Sequence, residues 1–238
     1  MKMRTAILSV CALLLAAECI CAQGGSQGGP AAELRLQIAP TASSNRHTPP
    51  AVAWLDPVQG TPALPFASNG NYTLLQRNRT FVPHLQVIPV GSVVQFPNAD
   101  PFFHNVFSLF EGKRFDLGLY EAGSSRSVTF PREGASYIFC NIHPDMSAVV
   151  LALATPLYSI ATADGSFVLR GIPPGTYKMH LWIEGVPQPV LDGLGRTLHL
   201  TSAGLDLGTT KVPIGRPDNN SHPNKFGGTY DEHTHSTY

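Results

Sequence analysis

The hydrophobic pattern of this chain consists of short apolar runs separated by turn residues. Between residues 33 and 213, runs rich in Val, Ile, Leu, Phe and Thr are bounded by Gly, Pro, Asn and Asp. Several of these runs alternate apolar and polar positions, which is the period of a half-buried β-strand, and no long stretch shows the helical period. The pattern therefore predicts an all-β protein.

The predicted strands fall into three blocks. The first block holds ELRLQIAP (33–40) and AVAWLDPV (51–58). The second holds FVPHLQVIPV (81–90), SVVQFPN (92–98), HNVFSLF (104–110), SRSVTFP (125–131), ASYIFC (135–140) and SAVVLALA (147–154). The third holds YSIATA (158–163), SFVLRG (166–171), IPPGTYKMHLWIEG (172–185), RTLHL (196–200) and LDLGTTKVP (205–213). Strands at this short spacing are typical of sandwiches and barrels.

Composition supports this interpretation and limits the function classes. The chain has 22 Gly and 21 Pro but only 13% charged residues, a mixture that suits many strands joined by tight turns. Its formal net charge is 0 at pH 7, so it carries no basic field that would attract nucleic acid or anionic lipid. We therefore expect no nucleic-acid partner.

The two ends of the chain differ from its centre. A positively charged start precedes an apolar segment from Ala6 to Ala17, which is too short to span a bilayer comfortably. Residues 1–22 are therefore predicted to be a cleaved signal peptide, and the protein is expected in the periplasm or outside the cell. Gly-rich residues 23–32 are predicted to be a flexible leader, and polar residues 216–238 a disordered tail. No second apolar stretch reaches transmembrane length.

Cysteine usage singles out one position. Of the four cysteines, Cys11, Cys19 and Cys21 lie in the predicted signal peptide. The mature chain would keep only Cys140, which cannot form an internal disulfide. In an oxidising compartment such a thiol risks oxidation or wrong pairing unless something holds it. A bound metal would protect the Cys140 thiol in this way, and simple burial of the side chain is the alternative.

The segment CNIHPDM favours a metal. It places Cys140, His143 and Met146 within seven residues. A blue-copper centre needs a thiolate, two imidazoles and a weak axial thioether, and His104, which begins a strand after the turn FPNADPFF, is the strongest candidate for the fourth ligand. One alternative is a buried cysteine beside a loop histidine and a core methionine. Another is zinc, although the paired cysteine motifs of structural zinc sites are absent.

Residues 75–155 resemble a cupredoxin domain. The likeness rests on FVPHLQVIPVGSVVQFPNADPFFHNVFS, RFDLGLY and ASYIFCNIHPDM. The Cys-x-x-His-x-x-Met spacing is similar to the short ligand loop of amicyanin-type proteins, and the segments together resemble cupredoxin-like proteins of methylamine utilisation. The resemblance implies a Greek-key β-sandwich with one mononuclear type 1 copper centre. It implies the ligands His104, Cys140, His143 and Met146, with Asn105 and Asn141 in the surrounding shell.

The third block has a resemblance of its own. ATADGSFVLRGIPPGTYKMHLW is similar to the prealbumin-like, or transthyretin-like, sandwich of carboxypeptidase-regulatory and carbohydrate-binding-like domains. Such sandwiches usually have seven strands, and residues 156–215 supply only about five. Residues 33–58 would supply the missing pair, so the cupredoxin is expected to be inserted into this second, smaller sandwich. Two domains in series, with a short N-terminal extension, are the alternative.

Function then divides into three hypotheses. The first is electron transfer outside the cytoplasm to a redox partner protein, through an edge of His143 ringed by Phe102, Phe103 and Pro144. The second is copper binding or delivery without a redox role. The third is a structural or saccharide-binding protein with an incidental copper site.

An enzyme is not expected. His-x-His pairs for a further copper cluster are absent outside the tail, and no Ser/His/Asp or paired-carboxylate arrangement stands out. Six of the seven other histidines are predicted to be structural, surface or tail residues: His84, His180, His199, His222, His233 and His235.

Overall fold

A computed structural model describes residues 31–41, 48–109, 112–214, 224–226 and 228. The predicted signal peptide, nearly all of the predicted leader and most of the predicted tail lie outside the described residues. In the described part the chain is built from strands and one short helix, which confirms the all-β prediction. None of its helices is long and apolar enough to cross a membrane.

Seventeen strands and one helix follow one another along the described chain. The first two strands are β1 (Ala32–Pro40) and β2 (Ala51–Pro57). The central strands are β3 (Tyr72–Thr73), β4 (Leu75–Arg77), β5 (Thr80–Val82), β6 (Leu85–Pro89), β7 (Val93–Pro97), β8 (His104–Ser108), β9 (Phe115–Tyr120), β10 (Ser125–Thr129), β11 (Gly134–Cys140) and β12 (Ser147–Leu153). The last elements are β13 (Tyr158–Ile160), β14 (Ser166–Ile172), β15 (Gly175–Ile183), α1 (Gln188–Leu194), β16 (Arg196–Leu200) and β17 (Leu205–Val212).

The N-terminal strands pair with strands from the end of the chain. In a three-stranded sheet, β1 lies between β14, to which it is antiparallel, and β17, to which it is parallel. In a four-stranded sheet of order β13-β2-β15-β16, β2 is antiparallel to both of its neighbours. Among the residues that the structure describes, neither β1 nor β2 pairs with a strand between residues 72 and 153.

The central strands pair among themselves. The larger sheet has the order β6-β12-β11-β8-β9, and the smaller one has the order β10-β7-β3. A separate hairpin, β4–β5, turns through Asn78 and Arg79, both of which have positive φ (55° and 57°). Two left-handed residues in a two-residue turn match the right-handed twist of the strands that they join.

Two hydrophobic cores follow from the alternation along these strands. In β15, Tyr177, Met179, Leu181 and Ile183 are buried, and they join residues of β1, β2 and β14 in the first core. The second core is formed by residues of the central sheets: Leu74, Phe81, Ile88, Val94, Phe96, Val106, Tyr120, Val128, Phe130, Ile138, Cys140, Met146, Ala148, Val150 and Ala152.

Strand β12 contributes to both cores. Val149, Leu151 and Leu153 belong to the first core, whereas Ala148 and Val150, on the opposite face, belong to the second. Because both faces are covered, the strand is a continuous apolar run rather than an alternating one. The two groups of sheets therefore share one buried layer.

Some elements differ from the sequence-based prediction. The single strand predicted over residues 81–90 is divided into β5 and β6, because Pro83 has no N–H to donate to a sheet. Strand β9 and the β4–β5 hairpin were not predicted, since Asn78-Arg79 lacks the glycine that usually marks such a turn.

Candidate metal centre

Three of the four predicted ligands, His104, Cys140 and His143, meet at one end of the five-stranded sheet. His104 is the first residue of β8, and Cys140 is the last residue of the neighbouring antiparallel strand β11. The loop from β11 to β12 carries His143 and Met146. Strand pairing therefore brings His104 beside a loop that follows it by more than thirty residues in sequence.

Two imidazoles face one sulfur. His104 Nδ1 lies 3.5 Å from Cys140 Sγ, and His143 Nδ1 lies 3.4 Å from the same atom. The three potential donor atoms all lie within 4.8 Å of one another. Within the described residues, this is the one group of three or more His, Cys, Asp or Glu side chains that could hold a metal ion.

Met146 lies in the same buried environment. Its side chain is fully buried and belongs to the second core together with Cys140. Its backbone closes the ligand loop, since the Cys140 N–H donates to the Met146 carbonyl (3.1 Å) and the Met146 N–H donates to the His143 carbonyl (3.0 Å). Those two bonds hold three of the predicted ligands in one compact turn.

The environment of Cys140 acts on its thiol in two directions. Burial raises the pKa of the thiol, whereas hydrogen bonds from the backbone N–H groups of Asn105, Ile142 and His143 lower it, and the net direction is upward. A metal that binds this sulfur must therefore displace its proton.

Both clustered histidines favour the neutral form. Burial is the main cause that lowers the pKa of His143 to about 4, and the charges of Arg79 and of the protonated form of His104 act in the same direction. Burial also lowers the pKa of His104, although the adjacent Asp100 carboxylate opposes this shift. Neutral imidazole is the form that ligates a metal, so both rings are prepared for that role at pH 7.

A carboxylate contacts the second ring nitrogen of His104. Asp100 Oδ2 lies 2.9 Å from His104 Nε2, and both side chains are buried. Burial alone would raise the pKa of Asp100, but hydrogen bonds from Arg79, His104 and Asn78 lower it, and the net direction is downward. Asp100 was not among the residues predicted from the sequence. Its only signal there is a carboxylate four residues before a predicted ligand histidine.

The two predicted shell asparagines connect different segments. The Asn105 carbonyl accepts the Asn141 N–H (2.9 Å), which joins β8 to the ligand loop through the backbone. The Asn105 side-chain amide instead donates to Asp116 on β9 (2.6 Å). Asn141 Oδ1 accepts the backbone N–H of Lys225 (2.9 Å).

Part of the predicted disordered tail therefore contacts the ligand loop. Besides its backbone bond to Asn141, Lys225 forms an ion pair with Asp116 (Nζ–Oδ2 2.9 Å). The described tail residues are 224–226 and 228. The tail histidines His222, His233 and His235 lie outside the described residues.

Aromatic and apolar side chains cover the mouth of the cluster. The Phe102 ring centroid lies 5.4 Å from each of the His104 and His143 rings, and the Arg79 guanidinium lies 5.3 Å above Phe102. Phe103 is 56% exposed and His143 is half-buried. Pro144 is half-buried and Ile142, on the same loop, is exposed. The side of the cluster nearest solvent therefore combines apolar side chains with the charge of Arg79.

The other described histidines have partners away from the cluster. His84 contacts the Ser147 carbonyl and Glu184, His180 pairs with Asp56 and stacks on Trp54, and His199 contacts the Thr176 hydroxyl. Each of these three histidines therefore contacts residues outside the group of His104, Cys140 and His143.

Comparison with known proteins returned structural likenesses alone. No family model matches the sequence, and no curated protein matches it. The solved structures that it resembles include a purple cupredoxin from Nitrosopumilus maritimus, with 24% identity and a TM-score of 0.33 over 35% of this chain and 100% of that one. They include an amicyanin from Paracoccus versutus, with 20% identity and a TM-score of 0.33 over 37% of this chain and 85% of that one.

A copper-containing nitrite reductase from Thermus scotoductus is a third likeness. It has 20% identity and a TM-score of 0.34 over 50% of this chain and 28% of that one. These identities and TM-scores are low, so they support no functional conclusion. The functional proposal below depends on the geometry of the cluster.

Proposed function

We propose that the protein is a cupredoxin-like, type 1 copper-binding electron carrier that acts outside the cytoplasm. The proposed ligands are His104, Cys140, His143 and Met146. The observation that carries the proposal is the pair of Nδ1 atoms 3.5 Å and 3.4 Å from the buried Cys140 sulfur. One thiolate with two imidazoles and a methionine is the donor set of blue-copper sites.

The chemistry of the donors favours copper over zinc. Structural zinc sites are closed by several thiolates or by Cys and His in paired motifs, whereas this cluster has one cysteine and a buried methionine in its loop. Copper bound there would supply one-electron redox chemistry. The residues themselves keep water out, since His104, Cys140 and Met146 are all fully buried.

The half-buried ring of His143 is the proposed route for electrons. Phe102 lies 5.4 Å from this ring, and its chain neighbour Phe103 is exposed, as half-buried Pro144 is the chain neighbour of His143. We propose that these apolar residues border the ring. Desolvating such a border on contact costs less than desolvating a charged one. We propose that a redox partner protein docks there.

We also propose that residues 75–155 are the copper-binding unit, inserted into a second sandwich made of residues 33–58 and 156–215. The pairing of β1 with β14 and β17, and of β2 with β13 and β15, supports an insertion rather than two domains in series. A carbohydrate ligand for the second sandwich has no specific structural support among the described residues.

The decisive experiment is copper loading followed by visible absorption spectroscopy. Copper(II)-loaded protein is expected to show an intense blue band from thiolate-to-copper charge transfer, and the band should be lost in Cys140→Ala. His199→Ala is the matched control, because His199 contacts the Thr176 hydroxyl, away from the ligand loop, and its loss should leave the colour unchanged. A colourless loaded protein with weak tetragonal bands would refute electron transfer and favour copper storage or delivery.

A further inference from the structure

Asp100 contacts Nε2 of His104, the ring nitrogen that is not the one nearest to the Cys140 sulfur. The carboxylate is 4% exposed, the imidazole is fully buried, and His104 Nε2 lies 2.9 Å from Asp100 Oδ2. A carboxylate accepts hydrogen bonds, so Nε2 is the protonated nitrogen of the neutral ring. The lone pair is then on Nδ1, which is the atom 3.5 Å from Cys140 Sγ.

The carboxylate is itself held by a turn on another part of the chain. The backbone N–H groups of Asn78 and Arg79 donate to its two oxygens, at 2.6 Å and 3.1 Å. Consecutive N–H groups in a turn form an anion-binding concavity. The Asp100 N–H also donates to Asn98 Oδ1 (3.0 Å), which fixes the backbone of the carboxylate. Asp100 therefore has little freedom to leave His104.

We propose that Asp100 is a positioning residue for His104, held by the β4–β5 turn, and that it fixes the Nε2–H tautomer and tunes the electron donation of the ring to bound metal. This inference rests on the proposed copper site. It adds an ionised partner and a separate structural element, the hairpin β4–β5, to the residues that set the properties of the site.

The expected size of the effect follows from the charge of the partner. A carboxylate behind a ligating histidine makes the ring a stronger donor, and loss of such a partner typically weakens metal binding by about 10- to 100-fold. The effect should be larger for copper(II) than for copper(I), because the higher charge gains more from the anion. A tenfold selective loss of copper(II) affinity raises a one-electron potential by about 59 mV.

The first test uses metal-free protein. Nitrogen chemical shifts of the His104 ring report which nitrogen is protonated. Wild-type protein is expected to show the Nε2–H tautomer, and Asp100→Ala is expected to show a mixture. A wild-type ring protonated on Nδ1, or an unchanged tautomer in Asp100→Ala, would overturn the proposal. If Asp100→Ala does not fold, the wild-type tautomer still decides.

The second test uses copper-loaded protein. Asp100→Asn keeps the shape of the side chain and removes its charge, so copper(II) affinity should fall by about 10- to 100-fold and the reduction potential should rise. Asp145→Asn is the matched control, because it removes one negative charge from an exposed position on the ligand loop. Equal shifts in the two variants would show a general charge effect and refute the positioning role.

The two tests separate this inference from the proposed function. If the tautomer depends on Asp100 but wild-type protein shows no blue band, the electron-transfer proposal fails and the positioning role stands. If the band is present but the tautomer and the potential do not respond to Asp100, the positioning role fails alone.

Discussion

At the scale of single residues, Cys140 is held in a state of low reactivity. Its side chain is fully buried, and burial outweighs three backbone N–H donors in setting the direction of its pKa. A thiol reacts with disulfides as the thiolate and only where a reagent can reach it. Burial and the raised pKa therefore protect the sulfur of the metal-free protein.

We predict that Cys140 in metal-free, folded protein reacts far more slowly with an aromatic disulfide reagent than the same residue in denaturant. The measurement is the rate of release of the coloured thiolate from the reagent. Cys140→Ala supplies the control, since its signal accounts for any reaction of the other cysteines. A rate in folded protein equal to that in denaturant would contradict the burial of the sulfur.

At the scale of secondary-structure elements, β12 is the strand on which both cores depend. Its alternate side chains pack on opposite sides, and it pairs with β11 and with β6. It also follows the ligand loop directly, so its position sets where Met146 and His143 can lie. Loss of packing on either face of β12 should therefore displace Met146 and His143.

We predict that Leu151→Ala, on the face of β12 that belongs to the first core, lowers the free energy of unfolding by about 2–5 kcal/mol. The residue is 1% exposed, so the substitution leaves a cavity. Leu119→Ala is the matched control: this leucine is 62% exposed on β9 and its loss should cost no more than about 0.5 kcal/mol. Chemical denaturation measures both, and similar costs for the two variants would contradict the shared-layer arrangement.

At the scale of the whole molecule, His84 links the end of the ligand loop to the four-stranded sheet. Its Nδ1 lies 3.1 Å from the carbonyl of Ser147, the residue after Met146, and its Nε2 lies 2.7 Å from Glu184, which follows β15. Both partners accept hydrogen bonds, so the doubly protonated ring satisfies both. The bond to Glu184 raises the pKa of His84, although burial opposes the shift.

This link predicts a pH dependence of stability. Because the folded pKa of His84 lies above its usual value of 6.5, its contribution is complete below pH 6.5 and is lost as the pH rises through the folded pKa. The side chains are 41% and 32% exposed, so solvent screening limits the contribution to about 1 kcal/mol or less.

The measurement compares wild-type protein with Glu184→Gln by chemical denaturation at pH 6 and pH 8.5. The difference in unfolding free energy should be present at the lower pH and should shrink at the higher one. Glu133→Gln, which removes an exposed carboxylate outside this link, is the control. A difference that grows with pH would contradict the assignment.

The sequence by itself determined the features that depend on neighbouring residues. Alternating runs indicated most of the strands, because side chains on a strand alternate between its two faces. The spacing of Cys140, His143 and Met146 indicated a compact donor loop, because residues that are three positions apart in a turn lie near one another. His104 was selected by its place at the start of a strand, and the structure puts it beside Cys140.

Tertiary structure decided everything that depends on distant segments. The partners of β1 and β2 lie more than a hundred residues away. No local preference encodes such pairing, and the sequence indicated it only through the resemblance to a seven-stranded sandwich. Asp100 meets the Asn78–Arg79 turn only because the β4–β5 hairpin folds against it. The apolar run of β12 is consistent with any buried strand, and only the packing of sheets on both its faces shows that it joins two cores. Local sterics and periodicity are written in short stretches of sequence, whereas long-range pairing is set by which buried surfaces fit together.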